Sequence, residues 1–296
     1  MPTATSNIIL PRDVAATIAD KVKDSSTIAK LSAATPTLFA EHGYVVFNGA
    51  GEAEVLAEGQ KASKSDADFK TVTAKTFRVS TISRVNEEVA YADEDSRLEV
   101  ISSLQADQAA QIGRALDYVI YHAVNPRTGT ALDGYTALSG TAVSVEETSD
   151  AAADLDSLAN AVSDDYDITG IALSRKFAAR LRSTRVKNTG ARLFPEVPLN
   201  LDAGQVDGIK AATSATVNGR ATSKDTLCRA FLGNFDLIKW GLARDITAEL
   251  IPYGDPDNTG VDLKGSGQVA YRCTAHIAAA VLEPKAFAVL KAKASV

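Results

Sequence analysis

Four residues near the carboxyl end of the chain have the types and spacing of the first half of a calcium-binding loop. Asp255, Asp257 and Thr259 present side-chain oxygens at alternate positions, and Gly260 could supply the turn that such a loop needs. The twelfth position, where a bidentate glutamate completes a calcium loop, is Ser266. Amphipathic helices do not flank the segment, so the motif favours an ordinary hairpin loop over a metal site.

A glycine-containing segment and the three histidines are the other places where nucleotide binding or catalysis could occur. In VVFNGAGEAEV, residues 45–55, the third glycine of a dinucleotide-binding motif is replaced by Glu54, whose carboxylate would lie where pyrophosphate approaches. His42, His122 and His276 have no second metal ligand three or four residues downstream, and nothing resembles G-x-S-x-G or H-E-x-x-H. We therefore predict a plain turn after residue 47, no metal, no cofactor and no catalytic residues.

A cluster of basic side chains stands out between residues 174 and 192. It consists of Arg175, Lys176, Arg180, Arg182, Arg185, Lys187 and Arg192. One interpretation is a solvated helix face, since exposed ion pairs contribute little to stability. The other is a contact with the acidic run Asp164-Asp165-Tyr166-Asp167 on a neighbouring copy. The residues alone leave both interpretations open.

The composition restricts the class of protein. The 296 residues, 45% of them hydrophobic and 23% charged, suit a globular chain with two lobes. A formal net charge of -6 argues against a protein dedicated to binding nucleic acid. Cys228 and Cys273 lie outside any CxxC pattern, which suits a reducing compartment. The amino terminus lacks secretory features, and the apolar stretch 277–282 is far shorter than the roughly 20 residues of a membrane-spanning helix.

The amino-terminal third contains segments that lack enough apolar surface to fold alone. Pro11 favours the start of a short helix with one narrow apolar stripe. Tyr44–Phe47 and Thr71–Ile82 have the composition of strands, and the polar, turn-rich residues between them predict a long, thin hairpin. Isolated two-stranded ribbons are marginal in water. We therefore expect this hairpin to reach another molecule.

The rest of the chain predicts a long helix, an α/β lobe and a series of strands. Apolar residues at spacings of three and four indicate a helix over residues 93–123. A helix near 155–162, a strand at 168–173 and a helix over 174–186 with Ser174 as its cap form the α/β lobe. The strands predicted after residue 226 are CRAFLGNF, LIKWGL, ITAELI, VAYRCTAHIAAAVLEP and AFAVLKA.

This order of elements resembles the major capsid protein of tailed bacteriophages with the Hong Kong 97-type (HK97-like) fold, over nearly the whole chain. The resemblance is carried by NIILPRDVAATIADKV, LAEGQKASKSDADF, SRVNEEVAYADEDSRLEV, NPRTGTALDGYTAL, ITGIALSRKFAARL, GNFDLIKWGL and EPKAFAVL. Each pattern is loose by itself. Their common order makes the resemblance strong.

The resemblance implies an α+β capsid fold in four parts. These are an N-terminal arm (1–45), an extended loop (46–82), a peripheral domain with the spine helix (83–138 and 226–296) and an axial domain (139–225). Such proteins assemble as pentamers and hexamers into an icosahedral virion shell around double-stranded DNA. The expected partners are identical subunits, a separate scaffolding protein, a portal and a decoration protein, with assembly in the host cytoplasm and no membrane. Candidate intersubunit residues are Lys61, Lys64, Asp66, Phe69, Asp164, Asp165, Arg175, Arg180 and Arg185.

The chain departs from the family pattern in two respects. Some members cross-link subunits through an extended-loop lysine with the help of a glutamate, but the neutral Thr274 and Ala275 occupy the expected glutamate position. We therefore predict no self-crosslinking. The chain begins almost directly with the arm, which leaves no fused scaffolding domain and is the reason to expect a separate scaffold. The acidic balance also suggests a shell lining that lets DNA slide.

Two other functions remain open from the sequence. An encapsulin, a cellular cargo compartment of the same fold, differs in what fills the shell, and no residue separates it from a virus. A soluble α/β enzyme built around residues 140–225 would need convergent catalytic groups, which the sequence does not present. Particle size and contents would distinguish an encapsulin from a virus head. A stable monomer with a small-molecule pocket would indicate an enzyme.

Overall fold

The computed structural model describes residues 26–35, 42–49, 55–56, 58, 60–61, 67–88, 100–186, 189–219 and 226–293. The helix predicted to start at Pro11, residues 93–99 of the predicted long helix, and Lys64 and Asp66 lie outside the described residues. Among the described helices, none has both the length and the apolar character that crossing a bilayer requires.

Helices and strands are interspersed up to residue 183, and strands predominate from residue 205 onward. The α-helices are α1 (Thr27–Leu31), α2 (Val100–His122), α3 (Leu138–Thr141), α4 (Ala151–Asn160) and α5 (Arg175–Ser183). The strands are β1 (His42–Gly49), β2 (Ala67–Asn86), β3 (Val143–Glu146), β4 (Gly170–Leu173), β5 (Gln205–Val206), β6 (Ile209–Thr213), β7 (Cys228–Gly233), β8 (Ile238–Ile251), β9 (Gln268–Val281) and β10 (Phe287–Lys291). This mixture confirms the predicted α+β class.

The first sheet has the order β1-β2-β9-β8 and is built around the long strand β2. Residues 67–74 of β2 pair with β1, and residues 75–86 pair with β9, both in antiparallel register. The predicted hairpin is therefore confirmed, with strands longer than predicted. Helix α2, of 23 residues and hence about 35 Å long, lies against this sheet with Ile112 and Leu116 fully buried. It confirms the predicted long helix where described.

The prediction of two separate strands for LIKWGL and ITAELI was wrong. Both belong to β8, which pairs with β9 along its length and shows register shifts between Leu242 and Arg244 and between Arg244 and Thr247. Irregularities of this kind bend a strand without ending it, because the ladder resumes on the far side. The polar residues 244–245 separate two apolar runs in the sequence. In the structure they lie at a local distortion of one continuous strand.

The second sheet has six strands in the order β3-β10-β7-β4-β6-β5. In this sheet β7 and β10, which the predicted division assigns to the peripheral domain, pair with each other and with strands of the axial lobe. Such partners lie more than fifty residues apart in sequence, so contiguity along the chain could not reveal them. The Ser174 side chain accepts a hydrogen bond from the Phe177 amide, which confirms the predicted cap of α5.

Strands β7 and β10 contribute to two cores at once. Phe231, Phe287 and Val289 belong to a core with α1, α2 and the first sheet. Their neighbours Leu232 and Leu290 belong to a second core with α4 and α5. Alternate side chains of a strand point to opposite faces, so both strands are buried on both faces. This explains why FAVL is continuously apolar and why CRAFLG is apolar apart from Arg229, whose side chain pairs with Glu147.

Candidate assembly surfaces

The ribbon formed by β1 and residues 67–74 of β2 presents an apolar face to solvent. Val45 and Phe47 lie two positions apart on one face, and the register places Phe69 opposite Phe47. The exposed fractions are 68% for Val45 and 61% for each phenylalanine. The two rings lie 5.2 Å apart between centroids at an angle of 50°. An exposed aromatic pair on a thin ribbon is typical of a surface that another protein covers.

This apolar face lacks a second layer within the described part of the subunit. Residues 67–74 of β2 pair only with β1, because the pairing with β9 begins at Lys75. A sheet normally buries one face against another element. The ribbon therefore exposes apolar side chains that no other described part of the subunit covers. Phe69, a predicted contact residue, lies in this face, and Lys61 is exposed in the connection beyond it.

The base of the ribbon is held firmly to the body. The Tyr135 hydroxyl donates to the Thr76 carbonyl oxygen at 3.2 Å, and its ring meets Phe77 edge to face with centroids 6.0 Å apart. The Lys75 ammonium donates to the Gly134 carbonyl oxygen. Beside this joint is a groove of about 430 Å³ between the ribbon, α2 and the end of β9, with Val119, Ile120, Leu138 and Val281 in its lining. A rigid base directs the ribbon outward along a fixed course.

The basic cluster predicted on α5 contains one side chain that is paired within the subunit and others that are exposed. Arg180 forms ion pairs with Glu147 and with the buried Asp154, and it donates to the Thr148 carbonyl oxygen at 2.7 Å. These contacts hold α5 against the segment before α4. The predicted interface residues Arg175 and Arg185 are exposed, and so are Asp164 and Asp165. Arg180 therefore has a structural role within its own subunit that the sequence did not reveal.

The oxygen cluster that resembled a calcium loop surrounds a guanidinium group. Arg84 of β2 donates to both carboxylate oxygens of Asp257, to Asp255 at 2.7 Å and to the Thr259 hydroxyl at 2.6 Å. Hydrogen bonding to Arg84 lowers the pKa of Asp257 to about 2. The segment is the loop between β8 and β9, so the prediction of a hairpin loop is confirmed. Arg84 was missed because 171 residues separate it from Asp255.

A second polar centre, also missed by sequence analysis, anchors α1 to α2. The fully buried Asp117 carboxylate accepts from the Thr27 amide at 3.0 Å, the Thr27 hydroxyl at 2.8 Å and the Ile28 amide at 3.3 Å. The hydroxyls of Ser26 and Thr216 also donate to it. Burial raises the pKa of Asp117, and these hydrogen bonds partly offset that effect. Asp117 thereby fixes the point at which residues 26–31 join the body.

No group of three or more potential metal ligands occurs in the part of the chain that the structure describes. The three histidines lie on β1, α2 and β9, and His122 is buried with Nε2 3.0 Å from the Thr216 carbonyl oxygen. Thr274, at the position expected for a cross-linking glutamate, lies in β9 with its hydroxyl 3.2 Å from that of Ser80. The contacts of His122 are those of a packed side chain, and those of Thr274 belong to sheet pairing.

Comparisons with known proteins match these features to one family. A family model described as the phage capsid family matches residues 7–292. A solved structure from Mycobacterium phage Ogopogo is 32% identical, with 90% of this chain and 92% of that chain covered and a TM-score of 0.77. One from Gordonia phage Cozz is 25% identical, with 91% and 87% covered and a TM-score of 0.75.

A more distant structure shows the breadth of the fold. The chain described as the capsid of an empty GTA particle is 14% identical, with 99% of this chain and 94% of that chain covered and a TM-score of 0.57. At this identity the likeness concerns the fold alone. A search of curated proteins finds no significant match.

Proposed function

Because the chain belongs to the phage capsid family, whose model spans residues 7–292, we propose that it forms the pentamers and hexamers of an icosahedral head that encloses double-stranded DNA. It is a major capsid protein of phage heads with the Hong Kong 97-type fold, and a structural protein, not an enzyme. Its place is the virion. The family favours this function over a cellular cargo compartment of the same fold.

The observation that carries the proposal is the uncovered apolar face of the ribbon. Val45, Phe47 and Phe69 are each more than half exposed in the subunit. Burial of such side chains is favourable, so a neighbouring copy of the same chain that covers them gains stability. The firm base at Tyr135 and Lys75 fixes the direction of the ribbon, so the contact can recur with the same geometry around a ring of subunits.

Other parts of the proposal rest on the family pattern. The arm, extended loop, peripheral domain and axial domain remain a proposed division, with β7 and β10 reassigned to the sheet of the axial lobe. A separate scaffolding protein, a portal, a decoration protein and assembly in the host cytoplasm belong to the same proposal. Exposed Arg185 is proposed to contact Asp164 or Asp165 of a neighbouring subunit, whereas Arg180 is already paired internally.

The test is electron cryo-microscopy of the purified full-length chain over a range of concentrations. The expected result is rings of five or six subunits, or closed shells, in which the face containing Phe47 and Phe69 is covered by another copy. Nucleic acid inside large shells would support a virus head, whereas small shells loaded with a protein would indicate a cargo compartment. A chain that stays monomeric at every concentration, with the ribbon fully ordered, would contradict the proposal.

A further inference from the structure

A second concavity, of about 620 Å³, lies where α1, α2, α5 and β6 approach one another. Its lining includes three basic side chains, each from a different helix: Lys30, Arg114 and Arg175. One carboxylate, Asp202, also lines it, 3.8 Å from the Lys30 ammonium and 63% exposed. The volume is in the range of small-ligand sites.

The positive charge in this concavity is largely uncompensated. Within the described ranges, no carboxylate pairs with Arg114 or Arg175. The chain as a whole has a formal net charge of -6. Three basic side chains that line one concavity therefore have the opposite sign to the net charge of the chain. Like charges brought close together repel, and an anion bound between them relieves that repulsion.

Two further features of the lining indicate a ligand. The Thr213 hydroxyl oxygen is buried and has no hydrogen-bond partner in the described part of the subunit, although buried polar groups are normally paired. Leu201 has a φ of 63°, a left-handed conformation that a branched side chain adopts only under strain. Strained residues of this kind concentrate at binding sites, where the surrounding structure holds them in place.

We propose that this concavity binds a phosphate group of the nucleic-acid backbone. The charged donors come from three different helices and so approach the space from several directions, which allows them to contact different oxygens of one phosphate group. Contacts to backbone phosphates carry no sequence information, in agreement with DNA held without sequence preference. This inference rests on the proposed enclosure of DNA and names one place where the subunit holds it.

The test compares two charge-matched variants of the full-length chain. Arg114→Gln/Arg175→Gln removes two cations from the concavity, and Lys210→Gln/Lys264→Gln removes two exposed cations elsewhere. Binding of a fluorescent DNA duplex to unassembled subunits is measured by anisotropy at several salt concentrations. We expect the first variant to bind at least about 10-fold more weakly, with a salt slope smaller by about one. The second should bind nearly as wild type, and duplexes of different sequence should bind equally.

Several outcomes would overturn the inference. An equal loss in both variants would assign DNA binding to diffuse charge, and no DNA binding by wild type would remove its basis. Polyglutamate that displaces DNA more effectively than inorganic polyphosphate would assign the concavity to an acidic protein instead. Thr213→Val, which deletes the unpaired hydroxyl but keeps the side-chain shape, should also weaken binding and covers the case in which the double variant misfolds. Electron microscopy of rings and shells tests the proposed function separately, because it does not depend on DNA binding.

Discussion

Replacing both aromatic residues of the ribbon, Phe47→Ser with Phe69→Ser, should prevent assembly while leaving the subunit folded. Both rings are 61% exposed in the subunit, and a phenylalanine offers roughly 200 Å². Together they therefore expose on the order of 240 Å². At about 25 cal/mol per Å², full coverage by a neighbour contributes up to about 6 kcal/mol, and half coverage about 3 kcal/mol.

The loss should appear in the concentration needed for assembly. A loss of about 3 kcal/mol at one contact corresponds to roughly a 100-fold weaker association. Both rings lie outside the two cores, so the free energy of unfolding of the unassembled subunit should change by less than about 1 kcal/mol. Sedimentation velocity over a concentration series measures the first quantity, and urea unfolding at low concentration measures the second.

A matched control separates the apolar contact from the loss of a particular shape. Phe47→Leu with Phe69→Leu keeps most of the apolar area and should assemble at concentrations close to those of wild type. The reasoning is refuted if the serine variant assembles like wild type, because the exposed face would then be irrelevant to subunit contacts. It is refuted equally if that variant unfolds several kcal/mol more easily, because the rings would then belong to the core of the subunit.

Three further predictions concern the body of the subunit. Gly233→Ala should destabilise it in urea by about 3 kcal/mol or more, because a Cβ there would overlap the Ala286 carbonyl oxygen and lie 2.9 Å from the Phe287 Cα, whereas Gly140→Ala, with nothing within 4 Å, should be neutral. Asp117→Ala should lower the free energy of unfolding by roughly 3 to 5 kcal/mol, since it leaves buried donors at Thr27, Ile28 and Thr216 unpaired. Because the folded pKa of Asp257 is lowered to about 2 from a usual 3.8, its contribution to stability is present above pH 4 and is lost as the pH falls from about 4 to 2. The hydrogen-exchange protection factors of residues 252–267, which correct for the pH dependence of intrinsic exchange, should fall over that interval in wild type, and in Arg84→Gln they should be low throughout.

The elements that were predicted correctly are those whose signal is local. Alternating and β-branched residues identified β1 and β2, spacings of three and four identified α2, and one serine identified the start of α5. The errors and omissions concern pairs of residues distant in sequence. Nothing near Asp117 in the sequence indicates its role, because its donors are 89 or more residues away in α1 and Thr216. Arg84 was missed because it too is distant in sequence from its partners, although the oxygen cluster around it was recognised.

The placement of β7 and β10 limits how the subunit can adapt to the proposed pentamers and hexamers. Two lobes joined only by a helix could rotate against each other. Instead, β7 and β10 insert alternate side chains into both cores, so Phe231 and Leu232, adjacent in sequence, lie in different cores. A rotation between lobes would disrupt close packing on both faces of these strands. The ribbon belongs to neither core, so we expect adjustment between lattice positions to occur towards its far end, away from the base that Tyr135 and Lys75 hold, while the body moves as one unit.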